Sequence, residues 1–228
     1  MHNIQTWNKI SIQNKINVSR CYKLKYQKIL NEIKDNRFIA VYRTTDKQKF
    51  IDIAHILIEN GLKTIEVTAT TPQANEIIRE LSQYRDVVIG AGTILDSAST
   101  KAAIEAGAKF IVSPGFDKDS AKLSNTYGTL YIPGCMTVTE MIYASHYGCN
   151  IIKLFPANQF SSKAIKDFQG PLPQLEFIPT GGIGIANAQE WLAVGSYAIG
   201  IGSEITKVYE LEGPRGLAKY VRELLKRK

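Results

Sequence analysis

The chain has 228 residues, of which 44% are hydrophobic and 21% are charged, a balance typical of one globular domain as large as an α/β barrel. No run approaches the roughly 18 apolar residues of a membrane-spanning helix, so we predict no membrane partner. The net charge of +7 lies mostly in residues 1–37, whereas residues 38–228 hold 20 Lys and Arg against 19 acidic residues; this nearly neutral body argues against a nucleic-acid partner.

The three cysteines and three histidines are scattered along the chain. Because none of them has metal-ligand spacing, we predict no metal site, and we expect no cofactor. This composition is typical of a protein of the reducing cytoplasm, which is the location that we expect.

Residues 1–24 form a basic segment that contains no acidic residue. The segment lacks the continuous apolar core of a secretory signal. A transit peptide is an alternative on charge, but Arg20 is the only arginine, and we interpret the segment as a loosely ordered N-terminal extension before a domain at residues 25–228. Apolar residues at helical spacing between Lys25 and Asp35 predict a helix that caps one end of this domain.

From Phe38 onward, short apolar runs alternate with amphipathic stretches. The predicted strands cover residues 38–42, 64–67, 87–91, 110–112, 130–132, 151–155, 176–179 and 197–201. The predicted helices cover about residues 46–59, 71–84, 96–107, 117–125, 137–147, 162–168, 185–193 and 214–228. The second of these helices is placed by Thr71 as N-cap and Pro72 at the first helical position.

Eight strand–helix units in regular alternation predict parallel strands that close into a (β/α)8 TIM barrel with an additional N-terminal helix. An open, doubly wound sheet is the alternative. No G-x-G-x-x-G motif opens the first units, which weakens that alternative.

The strand at residues 151–155 carries a lysine between apolar neighbours. Strand alternation places Ile152 and Leu154 on one face, and Lys153 on the other with Ile151 and Phe155. Removal from water favours a neutral amine, which can attack a carbonyl group and form a Schiff base. The simpler interpretation of a single strand lysine is that it snorkels to the surface or pairs with an acidic residue.

Other polar groups fall at the C-terminal ends of the predicted strands, where barrel enzymes place their chemistry. Alternation turns four of them inward: Arg43, Glu66, Lys153 and Thr180. Strands seven and eight are followed by glycine-rich segments that can bind phosphate through backbone N–H groups, with Gly181, Gly182, Gly202 and Ser203. Taken singly, Glu66 can be an ion-pair partner, Arg43 a surface residue and each glycine a turn. Their joint occurrence at one end favours a site.

These side chains predict a Schiff-base enzyme that acts on a small, anionic, phosphorylated carbonyl compound. Lys153 condenses with the ketone, and Glu66 moves protons directly or through one water. Arg43 holds a carboxylate, while the two glycine segments hold phosphate.

Several stretches resemble the family of 2-keto-3-deoxy-6-phosphogluconate (KDPG) and 4-hydroxy-2-oxoglutarate (KHG) aldolases. The matching stretches are Ile65-Glu66-Val67-Thr68, Ile89-Gly90-Ala91-Gly92-Thr93, Phe110-Ile111-Val112-Ser113-Pro114-Gly115, Pro133-Gly134, Lys153-Leu154-Phe155-Pro156-Ala157 and Pro179-Thr180-Gly181-Gly182-Ile183. The resemblance implies a homotrimeric class I aldolase that needs no metal and that cleaves KDPG to pyruvate and glyceraldehyde 3-phosphate.

By position, Lys153 resembles the imine-forming lysine and Glu66 the acid/base of that family. Thr93 and Pro114 resemble residues that line the pyruvate site, and we add Phe155 and Thr180 as further substrate contacts.

The main departure lies after strand two, where many members carry Leu-Arg-Thr and this chain has Ala69-Thr70-Thr71. We therefore assign carboxylate binding to Arg43. The alternatives are an aldolase for the galactonate-derived phosphate, another phosphate-binding barrel such as an isomerase, and a sugar-phosphate binder without catalysis.

Overall fold

The structure is a computed structural model that describes Leu24 and residues 26–228. The predicted N-terminal extension lies outside the described residues except for Leu24. The helix expected before the first strand is present over residues 26–36, and we call it α1.

After α1, strands and helices alternate along the chain. The strands are β1 (Phe38–Tyr42), β2 (Thr64–Thr68), β3 (Val88–Gly92), β4 (Phe110–Val112), β5 (Leu130–Ile132), β6 (Gly134–Cys135), β7 (Ile151–Leu154), β8 (Glu176–Pro179) and β9 (Ile199–Ile201). The helices are α2 (Lys47–Glu59), α3 (Ala74–Leu81), α4 (Ser97–Ala106), α5 (Lys118–Tyr127), α6 (Val138–Ser145), α7 (Ala164–Gln169), α8 (Ala188–Ala193) and α9 (Ser203–Leu225). In the described part of the chain, no helix has both the length and the apolar composition needed to cross a bilayer.

The strands pair in parallel, as the alternating pattern predicts. Six of them form a sheet in the order β5-β4-β3-β2-β1-β9, and three form a second sheet in the order β6-β7-β8. Only Pro133 separates β5 from β6, and its carbonyl accepts a hydrogen bond of 2.9 Å from the backbone N–H of Lys153. On the other side, Thr180 bridges to Gly200 in a parallel pair. The predicted α/β fold with parallel strands is therefore confirmed.

Alternate residues of several strands fall into two separate apolar clusters. In β1, Phe38, Ala40 and Tyr42 belong to the cluster that contains the inward faces of the surrounding helices, whereas Ile39 and Val41 belong to the other. The second cluster collects the opposite faces of the strands, with Ile39, Val41, Val88, Phe110, Val112, Leu130, Ile132, Ile151 and Ile178. Glu66 and Lys153 lie on this inner face, because the residues on either side of each of them belong to the first cluster.

Helix α1 lies across the end of the strands opposite the candidate site, as expected for a cap. Its Ile29 and Ile33 join the inner cluster, next to the first residues of several strands. The hydroxyl of Tyr197 donates a hydrogen bond of 2.8 Å to the carbonyl of Leu30. The helix therefore shields the inner cluster from water at that end.

Helix α3 begins at Ala74, so the predicted N-cap at Thr71 is wrong. The backbone N–H of Thr71 donates to the carbonyl of Thr68 at 2.9 Å, and the two hydroxyl oxygens lie 3.1 Å apart. Thr71 is thus buried in a turn that belongs to the end of β2. Gln73 follows with a left-handed φ of 58°, which separates this turn from the helix.

The last helix begins earlier than expected. Helix α9 starts at Ser203, directly after β9, and is interrupted at Gly213, whose φ of 66° and ψ of −166° are not helical. Pro214 opens the second segment, because the first turn of a helix does not need its missing N–H. The unpredicted first segment places Ser203 at a helix N-terminus.

Candidate active site

A cavity of about 370 Å³ opens at the C-terminal ends of the strands. It is lined by Val41, Tyr42, Arg43, Thr93, Pro114, Lys153, Phe155, Thr180, Gly181, Gly182, Gly202, Ser203 and Thr206. Every residue predicted for the site is in this lining except Glu66, which lies directly beneath it beside Lys153 and Thr180. The structure therefore brings all of the predicted site residues together.

A wider surface groove of about 720 Å³ runs between α3 and α4. Glu76 is the single ionisable side chain in the walls described for it. Because this groove has no amine or guanidinium to act on a carbonyl compound, the smaller cavity is the better candidate.

At the base of the cavity, Lys153 and Glu66 form a buried ion pair. The Nζ atom of Lys153 lies 3.8 Å from Oε1 of Glu66, and the two side chains are only 7% and 3% exposed. The same Nζ lies 4.9 Å from the centroid of the Phe155 ring. Removing either charge from water alone would cost desolvation free energy. Because the two opposite charges compensate each other, both side chains can remain in the interior.

Glu66 also has unused hydrogen-bonding capacity. Among the described residues, none donates a hydrogen bond to its buried Oε1 atom. A buried acceptor without a donor is uncommon, and it is often found at reactive sites. Its distance from Lys153 allows proton transfer to or from a group bound at that amine, directly or through one water.

Gly92 provides the space that the Glu66 side chain occupies. A Cβ atom at position 92 would overlap the carboxylate and Cγ of Glu66. The Gly-Ala-Gly-Thr run at the end of β3 is therefore explained in part by the acidic side chain that lies across it.

Arg43 lies at the mouth of the cavity, where two threonines hold its guanidinium. Its Nε donates to the hydroxyl of Thr70 at 3.1 Å, and its Nη2 donates to the hydroxyl of Thr93 at 3.4 Å. The Thr70 hydroxyl in turn donates to that of Thr68 at 3.3 Å. Since a guanidinium has five N–H donors, these contacts leave others for an anion.

Thr70 was not predicted as a site residue, because the sequence showed only the absence of an arginine there. Its contact with Arg43 depends on the register of β1 and β2, in which Val41 is opposite Glu66. A hydroxyl two residues beyond the end of a strand carries no signal of this contact in the sequence.

The glycine segments form the opposite wall of the cavity. Gly181 and Gly182 have left-handed φ values of 102° and 74°. Among the described residues, the backbone N–H groups of Gly182 and Ile183 have no hydrogen-bond acceptor outside the strand ladders. Together with the N-terminus of α9 at Ser203, these groups make a wall that favours an anion.

Comparison with known proteins agrees with this arrangement. The family model described as "Aldolase: KDPG and KHG aldolase" matches residues 29–215. This chain belongs to the KDPG and KHG aldolase family. It is therefore an aldolase, and the predicted family and lyase class are confirmed.

Individual relatives of this KDPG/KHG aldolase cover most of its domain. The KHG/KDPG aldolase of Escherichia coli is 37% identical over 149 residues, which make up 64% of this chain and 70% of that protein. The 2-dehydro-3-deoxy-phosphogluconate aldolase of Pseudomonas aeruginosa is 34% identical over 163 residues, or 71% and 74% of the two chains.

Solved structures resemble it as well. A KDPG aldolase from Legionella pneumophila, with pyruvate captured as a covalent carbinolamine intermediate, has a TM-score of 0.78 and 26% identity and covers 86% of this chain and 97% of its own.

Proposed function

We propose that this aldolase cleaves KDPG to pyruvate and glyceraldehyde 3-phosphate through an imine on Lys153. The observation that supports this most directly is the buried pair of Lys153 and Glu66, which lies below a cavity with anion-binding groups on two sides. Arg43 suits the carboxylate of a keto acid, and the glycine wall suits a phosphate at the other end. KDPG carries both groups.

In the first half of the reaction, the Lys153 amine attacks the C2 carbonyl carbon of the substrate. Loss of one water leaves a protonated imine, which withdraws electrons from the neighbouring carbon. Glu66 takes the proton from the C4 hydroxyl, directly or through one water. The C3–C4 bond then breaks, its electron pair enters the conjugated enamine, and glyceraldehyde 3-phosphate leaves as the aldehyde.

In the second half, the enamine returns to pyruvate. Glu66 delivers the proton to C3, which becomes the methyl group of pyruvate. Attack by one water on the imine carbon releases pyruvate and restores the amine of Lys153. No oxidant or reductant is consumed.

KHG is proposed as a second substrate, cleaved to pyruvate and glyoxylate by the same steps. It has the keto acid that Arg43 and Lys153 accept but no phosphate for the glycine wall. We therefore expect a weaker fit than for KDPG. An isomerase that binds phosphate in the same wall would have no use for a buried lysine, and this disfavours that alternative.

We also propose that the two sheets form one closed (β/α)8 barrel in a domain at residues 25–228. The bridge from Thr180 to Gly200 and the 2.8 Å bond from the Tyr197 N–H to the Phe177 carbonyl support closure on one side. A homotrimer is proposed from the resemblance alone, and molar mass from light scattering tests it. The free, buried thiols of Cys135 and Cys149 are compatible with the proposed cytoplasmic location.

Borohydride reduction in the presence of pyruvate tests the proposed chemistry. We expect mass spectrometry to find one pyruvate adduct on Lys153, and none in Lys153→Ala. Lys163→Ala, which removes an exposed lysine, is the matched control and should keep the adduct. An adduct that survives Lys153→Ala contradicts the mechanism. A coupled pyruvate-release assay with KDPG, its galactonate isomer and KHG then identifies the preferred substrate, which we expect to be KDPG.

A further inference from the structure

The glycine wall of the cavity consists of two segments, Gly181–Gly182 and Gly202–Ser203. Glu204 links these two segments through hydrogen bonds outside the cavity. It is the second residue of α9, directly after Ser203. Its Oε2 atom accepts a hydrogen bond of 2.7 Å from the Tyr220 hydroxyl and one of 3.3 Å from the backbone N–H of Ile185. Ile185 belongs to the loop that starts with Gly181 and Gly182, so one carboxylate links this loop to the start of α9.

The loop is also held at a second point. The side-chain amide of Asn187 accepts a bond of 3.0 Å from the N–H of Gly184 and donates one of 3.1 Å to the carbonyl of Gly182. These contacts use the carbonyl of Gly182 and the N–H groups of Gly184 and Ile185. The N–H groups of Gly181 and Gly182, which line the cavity, are not used by them.

The carboxylate of Glu204 lies on the far side of the loop from the cavity. Neither Glu204 nor Gly184 is among the residues that line the cavity. A Cβ atom on Gly184 would overlap the Glu204 carboxylate, which shows how closely the loop rests on it. Burial, together with the bond to Glu204, raises the pKa of Tyr220, so its hydroxyl remains a donor at neutral pH.

We propose that Glu204, supported by Tyr220, is a positioning residue that holds the glycine wall in the shape that binds the phosphate of the substrate. It acts through the backbone of Gly181–Ile185 and the N-terminus of α9, and it does not touch the substrate. This inference rests on the proposed function for the identity of the phosphorylated substrate.

Condensation kinetics with two aldehydes separate this role from general damage. Glyceraldehyde 3-phosphate uses the glycine wall, whereas glyoxylate, which has no phosphate, does not. With pyruvate as the second substrate, Glu204→Ala should raise KM for glyceraldehyde 3-phosphate roughly tenfold, the range for one lost hydrogen bond to a charged group. KM for glyoxylate should stay at the wild-type value. Equal effects on both aldehydes would show a merely structural role.

Three further variants test the contact itself. Glu204→Gln keeps an oxygen acceptor and should restore most of the affinity for the phosphorylated aldehyde. Gly184→Ala should reproduce the Glu204→Ala effect by displacing the carboxylate. In the Glu204→Ala background, the same Gly184→Ala change should add little, because the overlapping group is gone. Additive effects of the two changes would contradict the proposal.

Binding of inorganic phosphate, followed by ³¹P line broadening, separates this inference from the proposed function. Weaker phosphate binding in Glu204→Ala, with recovery in Glu204→Gln, supports the positioning role even if the wild-type protein cleaves no KDPG. Unchanged binding in Glu204→Ala overturns it. Absence of phosphate binding to the wild-type protein also overturns it, since the glycine wall is then not a phosphate site that Glu204 could position.

Discussion

At the scale of single residues, the candidate site depends on a carboxylate and an amine that are buried together, away from water. Glu66 and Lys153 come from β2 and β7, which belong to different sheets, and both are buried. Their opposite charges make burial tolerable, and the free Oε1 of Glu66 leaves one acceptor for a reacting group. The glycine at position 92 determines where this acceptor lies.

Gly92→Ala is therefore expected to damage catalysis while leaving imine formation possible. The new methyl group would displace the Glu66 carboxylate, so turnover should fall by roughly 10²-fold or more, the range for loss of a general acid/base. Steady-state kcat measures the loss, and borohydride trapping should still label Lys153. The control is Gly115→Ala, since a Cβ there has no atom within 4 Å. A Gly92→Ala enzyme with normal kcat would show that the position of Glu66 is not critical.

At the scale of elements, the ends of three neighbouring strands cooperate to hold Arg43. The arginine follows β1, Thr70 follows β2 and Thr93 follows β3. Parallel pairing brings these positions side by side, although they are far apart in sequence. The guanidinium is thereby oriented before a carboxylate binds, which reduces the entropy that binding must remove.

Thr70→Val tests this orientation of Arg43. Removal of the hydroxyl leaves Nε without its acceptor, and KM for pyruvate should rise by roughly fivefold, as expected for about 1 kcal/mol. Turnover at saturation should change little. Thr70→Ser keeps the hydroxyl and is the matched control, with an expected KM near the wild-type value. Equal KM values in Thr70→Val and the wild type would mean that Arg43 needs no support from Thr70.

Helix α1 contributes stability at the opposite end of the strands. Ile33 is fully buried in the inner cluster, so Ile33→Ala should lower the free energy of unfolding by about 2–5 kcal/mol. Urea unfolding measures the change. Gln27→Ala, at an exposed position of the same helix, should change stability by less than about 0.5 kcal/mol. A small effect of Ile33→Ala would indicate that the domain does not need this helix as a cap.

At the scale of the whole molecule, we expect the buried thiols to make the free energy of unfolding fall as the pH rises into the alkaline range. Burial raises the pKa of Cys135 and of Cys149 from 9.0 to about 12. Above pH 9 the unfolded chain loses these protons while the folded protein keeps them. Stability attributable to the two thiols is therefore complete below pH 9 and falls between pH 9 and about 12.

The expected slope is about 1.4 kcal/mol per pH unit for each thiol in that range. Urea unfolding at pH 8 to 11 measures it, with the double variant Cys135→Ala/Cys149→Ala for comparison. The variant should lose less stability than the wild type as the pH rises. Parallel pH profiles for the two proteins would show that the thiols do not account for the alkaline loss.

Much of this molecule follows from local patterns in its sequence. Alternation of apolar residues predicted the parallel strands and the inward direction of Glu66 and Lys153, because side chains of a strand alternate strictly between its faces. The predicted helix starts near residues 46 and 96 are also correct, since Asp46 and Asp96 cap α2 and α4 through contacts with residues three positions away. The family motifs added Thr93 and Pro114, which also line the cavity, whereas Val41, Tyr42 and Thr206 in the same lining were not predicted.

Other features depend on contacts between segments that are distant in sequence, and only the tertiary structure decided them. Thr71 belongs to a turn because its N–H and its hydroxyl both contact Thr68. Thr70 supports Arg43 because of the register in which β1 and β2 pair. The link from Glu204 to Ile185 and Tyr220 joins three positions that no local pattern relates. Local propensity determined the elements and the chemistry of the candidate site, whereas strand register and helix packing determined which side chains hold that site in place.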